Sequence, residues 1–326
     1  MTAATTTPLP IARLILTVRA DAPLHLPPYI GSTLRGAFGH ALKSLALLPH
    51  HHNNPCALAE RCPYCQVFAP APQPTHPSGQ TPAPYIIEPP APYHPRRLQP
   101  GQTFRFGLVL IGKALPHLPA IVQAFERAMR HGLTQQHTPC TLLNVQHEQA
   151  RQTLWQTGQS QATQPATTIP PASTLGQHLS LHLHTPLRLQ QQSRIIGQNQ
   201  LTAYHLLIGL ARRYQLLLDT HLGPQAPQQN FSQLAELAHT IDLDASELHW
   251  FDWERYSNRQ QQAMKLGGLL GTLHLHGQLA PFSQLLHLGQ WLHLGKETTF
   301  GLGGYAIDQD TPATRPAHTH TPTATA

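Results

Sequence analysis

The chain has 326 residues, room for two domains of ordinary size, and a formal net charge of +6 although only 11% of its residues are charged. No stretch has the length and purity of a transmembrane helix, and residues 1–10 have neither the basic start nor the apolar centre of a secretory signal. Four cysteines in so long a chain, without such a signal, predict reduced thiols and a cytoplasmic setting.

The charge is unevenly placed. Glu236, Asp242, Asp244, Glu247, Asp252 and Glu254 fall in one stretch that has no Lys or Arg. Removing these six from the fifteen acids leaves nine against twenty-one basic side chains, a balance of +12 for the rest. Such an excess favours a polyanionic partner. Arginine outnumbers lysine, and its planar fork matches phosphate oxygens.

In chain order, residues 11–20 form an apolar, β-rich run. A Pro-Pro-Tyr29-Ile-Gly turn follows, and Ser32 suits a helix N-cap. The next helix carries Leu34, Phe38, Ala41, Leu45 and Leu48 as one apolar stripe, with Gly36, Gly39, His40 and Lys43 opposite. Two glycines on an exposed helix face cost about 1 kcal/mol each against alanine, and close approach of a ligand would compensate. His50, His51 and His52 lead into Cys56, Cys62 and Cys65. A C-x-x-C pair beside a third cysteine and histidines can hold zinc, and a set of ordinary thiols is the alternative. Residues 69–84 are Pro-rich and read as a loop. Strands are expected over 84–88, 103–112 and 140–145, with a helix over 116–131 between the last two.

Residues 156–174 are rich in Gln, Thr, Ala and Pro and read as a linker. The pattern then restarts. Residues 178–189 alternate leucine with polar residues, and 201–222 is a long helix bearing Arg212 and Arg213. Residues 231–248 form an acidic insertion. Strands are expected over 248–257 and 266–279, then a helix over 281–294. The stretch Leu292-His-Leu-Gly-Lys-Glu-Thr-Thr-Phe-Gly-Leu-Gly-Gly-Tyr-Ala-Ile307 joins that helix to a last strand through Gly295, Gly301, Gly303 and Gly304. A Walker loop fails on spacing and on Glu297 after Lys296, and a dinucleotide fingerprint fails on direction. Glycine N–H groups beside Lys296 could still meet a phosphate backbone, and a tight structural connection is the bland alternative.

The element order is thus βαββαβ, linker, βαββαβ. It predicts an α+β fold of two tandem ferredoxin-like domains, residues 1–155 and 176–310, joined by residues 156–175 and followed by a disordered tail over 311–326.

With these residues in view, the chain resembles the CRISPR-associated pre-crRNA processing endoribonucleases (Cas endoribonuclease six) of the RAMP superfamily. The resemblance is carried by Leu34-Arg-Gly-Ala-Phe-Gly-His-Ala-Leu42, Cys62-Pro-Tyr-Cys65-Gln-Val-Phe68, Trp253-Glu-Arg-Tyr-Ser-Asn-Arg-Gln260, Gly267-Gly268 and the glycine-rich loop. It implies cleavage of CRISPR repeat RNA without a required metal, the RNA's own 2′-hydroxyl attacking the adjacent phosphate to give a cyclic phosphate. By the same resemblance His40 would be general base or acid, Lys43 would stabilise phosphorane charge, and Tyr29 would orient groups or donate a proton. RNA contacts would come from Arg35, Arg212, Arg213, Arg255, Arg259, Lys296, Gly301, Gly303 and Gly304. The partners implied are repeat RNA or its guide product and other Cas effector subunits, and Cys56, Cys62 and Cys65 would hold any structural zinc.

Each residue also has a plainer reading. One histidine among 24 on a helix face is unsurprising, Tyr29 could pack under its loop, and the arginines could be solvated. His293 and His50 to His52 are rival bases. The pairs 182/184 and 274/276 have metal-like spacing, although such pairs usually line the polar face of a strand. Two other classes fit the motifs: a non-catalytic RAMP subunit coating guide RNA, and a zinc-dependent binding module.

Overall fold

The protein is described here by a computed structural model covering residues 8–46, 56–72, 81–90, 96–167, 169–257 and 262–308. Leu48, His50 to His52, Arg259 and the tail over 311–326 lie outside these residues.

The first sheet is built from β1 (Ile11–Ala20), β3 (Tyr85–Glu88), β5 (Thr103–Ile111), β6 (Cys140–His147) and β7 (Thr153–Gln156), in the order β3-β5-β1-β6-β7. All neighbours are antiparallel, with Leu16 opposite Phe106 and Val145. A small ribbon pairs β2 (Leu24–Leu26) with β4 (Arg96–Leu98). Helices α1 (Gly31–Ser44) and α2 (Leu118–His131) cover one face of the sheet. Leu34, Phe38 and Ala41 recur four and three residues apart and, with Leu42, are buried, so the apolar stripe of α1 is what the sheet receives. Phe38 stacks on Phe125 of α2 at 4.6 Å and meets Tyr85 edge-on at 5.4 Å.

The second half repeats the order. It holds β8 (His178–Leu187), the ribbon β9 (Gln190–Gln191) with β10 (Arg194–Ile195), α3 (Ala203–Leu222), α4 (Phe231–His239), β11 (Asp242–Asp244), β12 (Leu248–Ser257), β13 (Gln262–His276), α5 (Ser283–Leu292) and β14 (Tyr305–Asp308). The sheet runs β14-β8-β13, with β12 and β11 both on the far edge of β13. Leu179, Leu181 and Leu183 face Leu273, Leu275 and helices α3 and α5, which is the burial their alternation predicts. Both halves are split βαβ units with strand order 4-1-3-2, the ferredoxin-like arrangement expected.

Several local expectations are corrected. α1 starts at Gly31 with Ile30 as N-cap, and Ser32 lies inside the helix. Gly39 is not an exposed glycine waiting for a ligand: the Phe68 ring occupies the place of its missing Cβ. The acidic insertion over 231–248 is built as the short helix α4 and the strand β11. The connection after β7 is tied down: Ala166 and Pro170 offer carbonyls to His147 and His287, and the Leu175 N–H donates to Ser283 Oγ at 2.9 Å.

The two units share apolar surface. Ile11, Ile86, Val109 and Ile111 of the first sheet belong to the same buried cluster as the leucines of the second. The face of the first sheet opposite α1 and α2 is therefore partly covered by the second unit.

Two glycine substitutions should move stability in opposite directions. Gly303 has φ +72°, and a Cβ there would meet the Leu294 carbonyl. Gly303→Val should lower the thermal midpoint sharply, since left-handed strain alone costs on the order of 1–3 kcal/mol. Gly36 has open space around its Cα in mid-helix, so Gly36→Ala should gain up to about 1 kcal/mol. Thermal unfolding followed by circular dichroism checks both.

Candidate active site and nucleic-acid interface

The glycine-rich loop starts where α5 stops. His293 caps the helix with φ +55°, a conformation histidine rarely adopts. From there the chain folds back on itself. Leu294 N–H donates to Gly303 O, Gly303 N–H to Pro186 O, Gly301 N–H to Thr298 O and Gly304 N–H to Thr185 Oγ1. Gly301, Gly303 and Gly304 are buried. The N–H groups read from the sequence as a phosphate cradle are thus already bonded within the protein. Lys296 is exposed at the start of the loop, its own N–H donating to Arg188 O.

The loop is wedged between the two units. A Cβ at Gly301 would strike Pro89 and the Ile87 carbonyl, and one at Gly31 would strike the Phe300 carbonyl. Tyr29 is buried just before α1, and its hydroxyl donates to Phe300 O at 2.8 Å. The Tyr29 ring lies 5.1 Å from Trp253 of β12. Tyr29, Trp253, Leu266, Phe300 and Leu302 form a separate apolar cluster joining the start of α1, the loop and the β12–β13 hairpin.

Beneath this wedge lies a group of charged side chains that the sequence did not single out. Glu88 accepts from Arg13 Nη2 at 2.9 Å and pairs with His293 Nε2 at 3.0 Å. The other ring nitrogen of His293 faces Leu302 O at 3.2 Å, and His293 is fully buried. Both ring nitrogens thus face oxygen atoms of the protein. Arg13 also donates to the Gln290 carbonyl and lies 5.3 Å over the Trp291 ring. Burial pushes the Glu88 carboxyl up, but Arg13 and His293 outweigh it and bring it down to about 2. The available hint was a charge inside an otherwise apolar strand, at Arg13 in β1 and Glu88 in β3. His293, a rival base in the sequence, is thus enclosed within the protein and engaged at both ring nitrogens.

Of the three residues assigned to chemistry by resemblance, two share one surface. His40 is exposed on α1, about 13 Å along the axis from Gly31. Lys43, half-buried, follows one turn later on the same side. Tyr29 sits below the helix start with its hydroxyl engaged. The basic residues also divide. Arg212 is exposed, whereas Arg213 next to it donates to Leu292 O at 2.7 Å and ties α3 to the end of α5. Arg35 lies 4.7 Å over the Phe68 ring. Arg255 is in β12.

Cys56, Cys62 and Cys65 place their sulfurs within 4.8 Å of one another, and among the described residues no other group of three such donors is so gathered. Burial and the neighbouring thiols push Cys65 up to about 12. The histidine pairs on strands find cross-strand partners instead of each other: His276 meets His178 at 2.6 Å, and His274 meets Ser180 at 2.9 Å.

Residues 181–305 match the family model of the CRISPR-associated endoribonuclease Cas6, and residues 9–167 match the family AF_1859_N, described as an N-terminal domain. The stretch that matches the Cas6 model lies in the second unit. The glycine-rich loop, α3, α5 and the β12–β13 hairpin all belong to it. None of the curated proteins matches the chain by sequence. Among solved structures, a Cas6 product complex superposes with a TM-score of 0.56 at 15% identity, covering 91% of this chain and 99% of that one. Thermus thermophilus Cas6 gives 0.51 at 14% identity, covering 92% and 99%. A partial Cas6-RT-Cas1-Cas2 complex gives 0.56 at 15% identity, covering 92% of this chain but 46% of a longer one. At these identities the likeness is one of fold. No described helix is long and apolar enough to cross a membrane.

Acid should destabilise this junction in a defined window. His184 lies beside His293, and His221 accepts from the Lys113 N–H through Nδ1. Burial lowers both to about 4; the His293 charge adds to it for His184, and Lys113 for His221. The unfolded chain takes up protons near pH 6.5 while the folded chain resists until about pH 4. Stability is then full above about 6.5 and falls as pH drops towards 4, by at most on the order of 3 kcal/mol for each histidine. Calorimetry between pH 7 and 4 should show this decline, and His184→Gln should flatten it.

Proposed function

We propose that the protein is a CRISPR RNA processing endoribonuclease, cutting repeat transcripts into guide RNAs without needing a metal for the chemistry. The 2′-hydroxyl beside the scissile phosphate attacks phosphorus, a base takes its proton, and the bond to the 5′-oxygen breaks as an acid protonates that oxygen. The products are a cyclic phosphate end and a 5′-hydroxyl end. His40 transfers one of these protons, and Lys43 stabilises the charge on the phosphorane. Tyr29 acts as a positioning residue, holding the start of α1 against the second unit. In this reading the N-terminal unit, residues 1–155, supplies the chemistry. The C-terminal unit, residues 176–310, supplies grip on RNA through Arg212, Arg255, Arg259 and Lys296, with Arg35 beside the site. The glycines hold the loop's shape, and other Cas subunits are candidate recipients of the product.

The observation that carries the reading is the placement of His40. It is an exposed histidine, followed one turn later by a lysine, on a helix whose first residues pack against the glycine loop of the stretch that matches the Cas6 model.

The test is His40→Ala with a labelled repeat RNA in EDTA. Cleavage should fall roughly 10²–10⁴-fold with binding retained, because phosphate contacts elsewhere carry affinity. A substrate with 2′-deoxyribose at the cut position should bind and stay whole. Wild-type cleavage by His40→Ala would remove His40 from the mechanism. Shifted but uncut RNA with the unmutated protein would make it a non-catalytic RAMP subunit. Cutting of the deoxy substrate would overturn the 2′-hydroxyl route.

A further inference from the structure

Between α1 and β3, the described stretch 56–72 has few buried side chains. It has turns and one five-residue helical turn, Tyr64–Phe68. Only Cys62 and Val67 within it are buried. A single helical turn does not persist without outside support. Yet this turn delivers Phe68 to a demanding position. The ring lies in the notch left by Gly39, 6.0 Å from Phe38 and 6.1 Å from Tyr85, under the Arg35 guanidinium. Residue 39 adjoins His40, so the wall behind the candidate catalytic helix depends on a segment short of apolar anchors.

The three cysteines sit where an anchor is needed. Cys62 and Cys65 flank Pro63-Tyr64 at the start of the helical turn, and Cys56 returns from six residues earlier. Their sulfurs lie within 4.8 Å of one another. Tetrahedral zinc with bonds of about 2.3 Å requires sulfurs about 3.8 Å apart, so the approach needed is on the order of 1 Å. Cys62 is buried, while Cys56 and Cys65 are half-exposed, which leaves one side of the trio towards solvent. Two of these thiols could instead form a disulfide and leave the third idle, and that arrangement gives no reason for three to converge.

We propose that Cys56, Cys62 and Cys65 bind one divalent zinc ion as thiolates, with a fourth position on the solvent side, and that this ion clamps the Tyr64–Phe68 turn against Gly39 of α1.

Protein should be purified without an affinity tag, because 24 histidines would draw metal from a resin. Elemental analysis should find one zinc per chain. The zinc should resist EDTA washing and be released when a mercurial blocks the thiols. Cobalt substitution should give thiolate-to-cobalt charge-transfer absorption, which histidine-bound cobalt lacks. Cys65→Ser, at a half-exposed position, should lose both signals while circular dichroism stays that of the folded protein. Hydrogen exchange should speed up in residues 62–68 and 37–40 when zinc is stripped. Absence of zinc with three free thiols, or a disulfide found by mass spectrometry, would overturn the site. Zinc bound with unchanged exchange on removal would overturn the clamp. No RNA is present in these measurements, so they leave the cleavage reading to its own test.

Discussion

The architecture depends on Glu88. Its carboxylate stands between Arg13 of its own sheet and His293 at the end of α5, on the seam between the two units. Removing one partner of such a buried group would strand the others, at a cost of about 3–5 kcal/mol in comparable cases. Apolar contacts such as those of Ile11 and Val109 with the second unit's leucines could slide. A carboxylate bonded to one arginine and one imidazole cannot slide without losing both. The ionic group therefore sets the register in which the sheets meet. The acids from Glu236 to Asp252 lie along α4, β11 and β12.

What this register positions is the glycine loop, and through it α1. The loop crosses the seam with its N–H groups bonded to Thr298, Pro186 and Thr185. Its glycines serve close approach: Gly301 against β3, and Gly303 against Leu294. Phe300 then offers its carbonyl to Tyr29, and Trp253 packs on the Tyr29 ring. A helix that begins at this junction and carries His40 and Lys43 inherits its orientation from residues more than two hundred positions away. The second unit thus acts on the first helix by holding it, through Phe300 and Trp253 on Tyr29.

Much of the secondary structure was legible in the sequence, because periodicity is a local property. The apolar run 11–20 is β1 and residues 248–257 are β12, with the expected bounds. The leucine alternation after residue 178 marked the buried face of β8. The candidate site was legible only in part. His40 was singled out by the family resemblance, its place on a helix face being unremarkable among 24 histidines, and the three cysteines by their spacing. Arg212 and Arg213 looked equivalent as neighbours in one helix. One faces solvent and the other a carbonyl of α5, a difference set by which side of α3 its neighbour covers.

The sequence by itself determined the order and type of the elements, the two βαββαβ units and the basic balance. Those features follow from hydrophobic spacing, turn residues and charge counts along the chain. The tertiary structure alone decided that the glycine loop is a wedge with its N–H groups occupied, that Tyr29 is bound to Phe300, that His293 is buried against Glu88, and that Phe68 fills the notch of Gly39. Each is a contact between segments distant in the chain, 205 residues apart for His293 and Glu88 and 271 for Tyr29 and Phe300. Hydrogen bonds and close packing are satisfied by whatever the fold brings near, and the identity of that partner is not written in either segment alone.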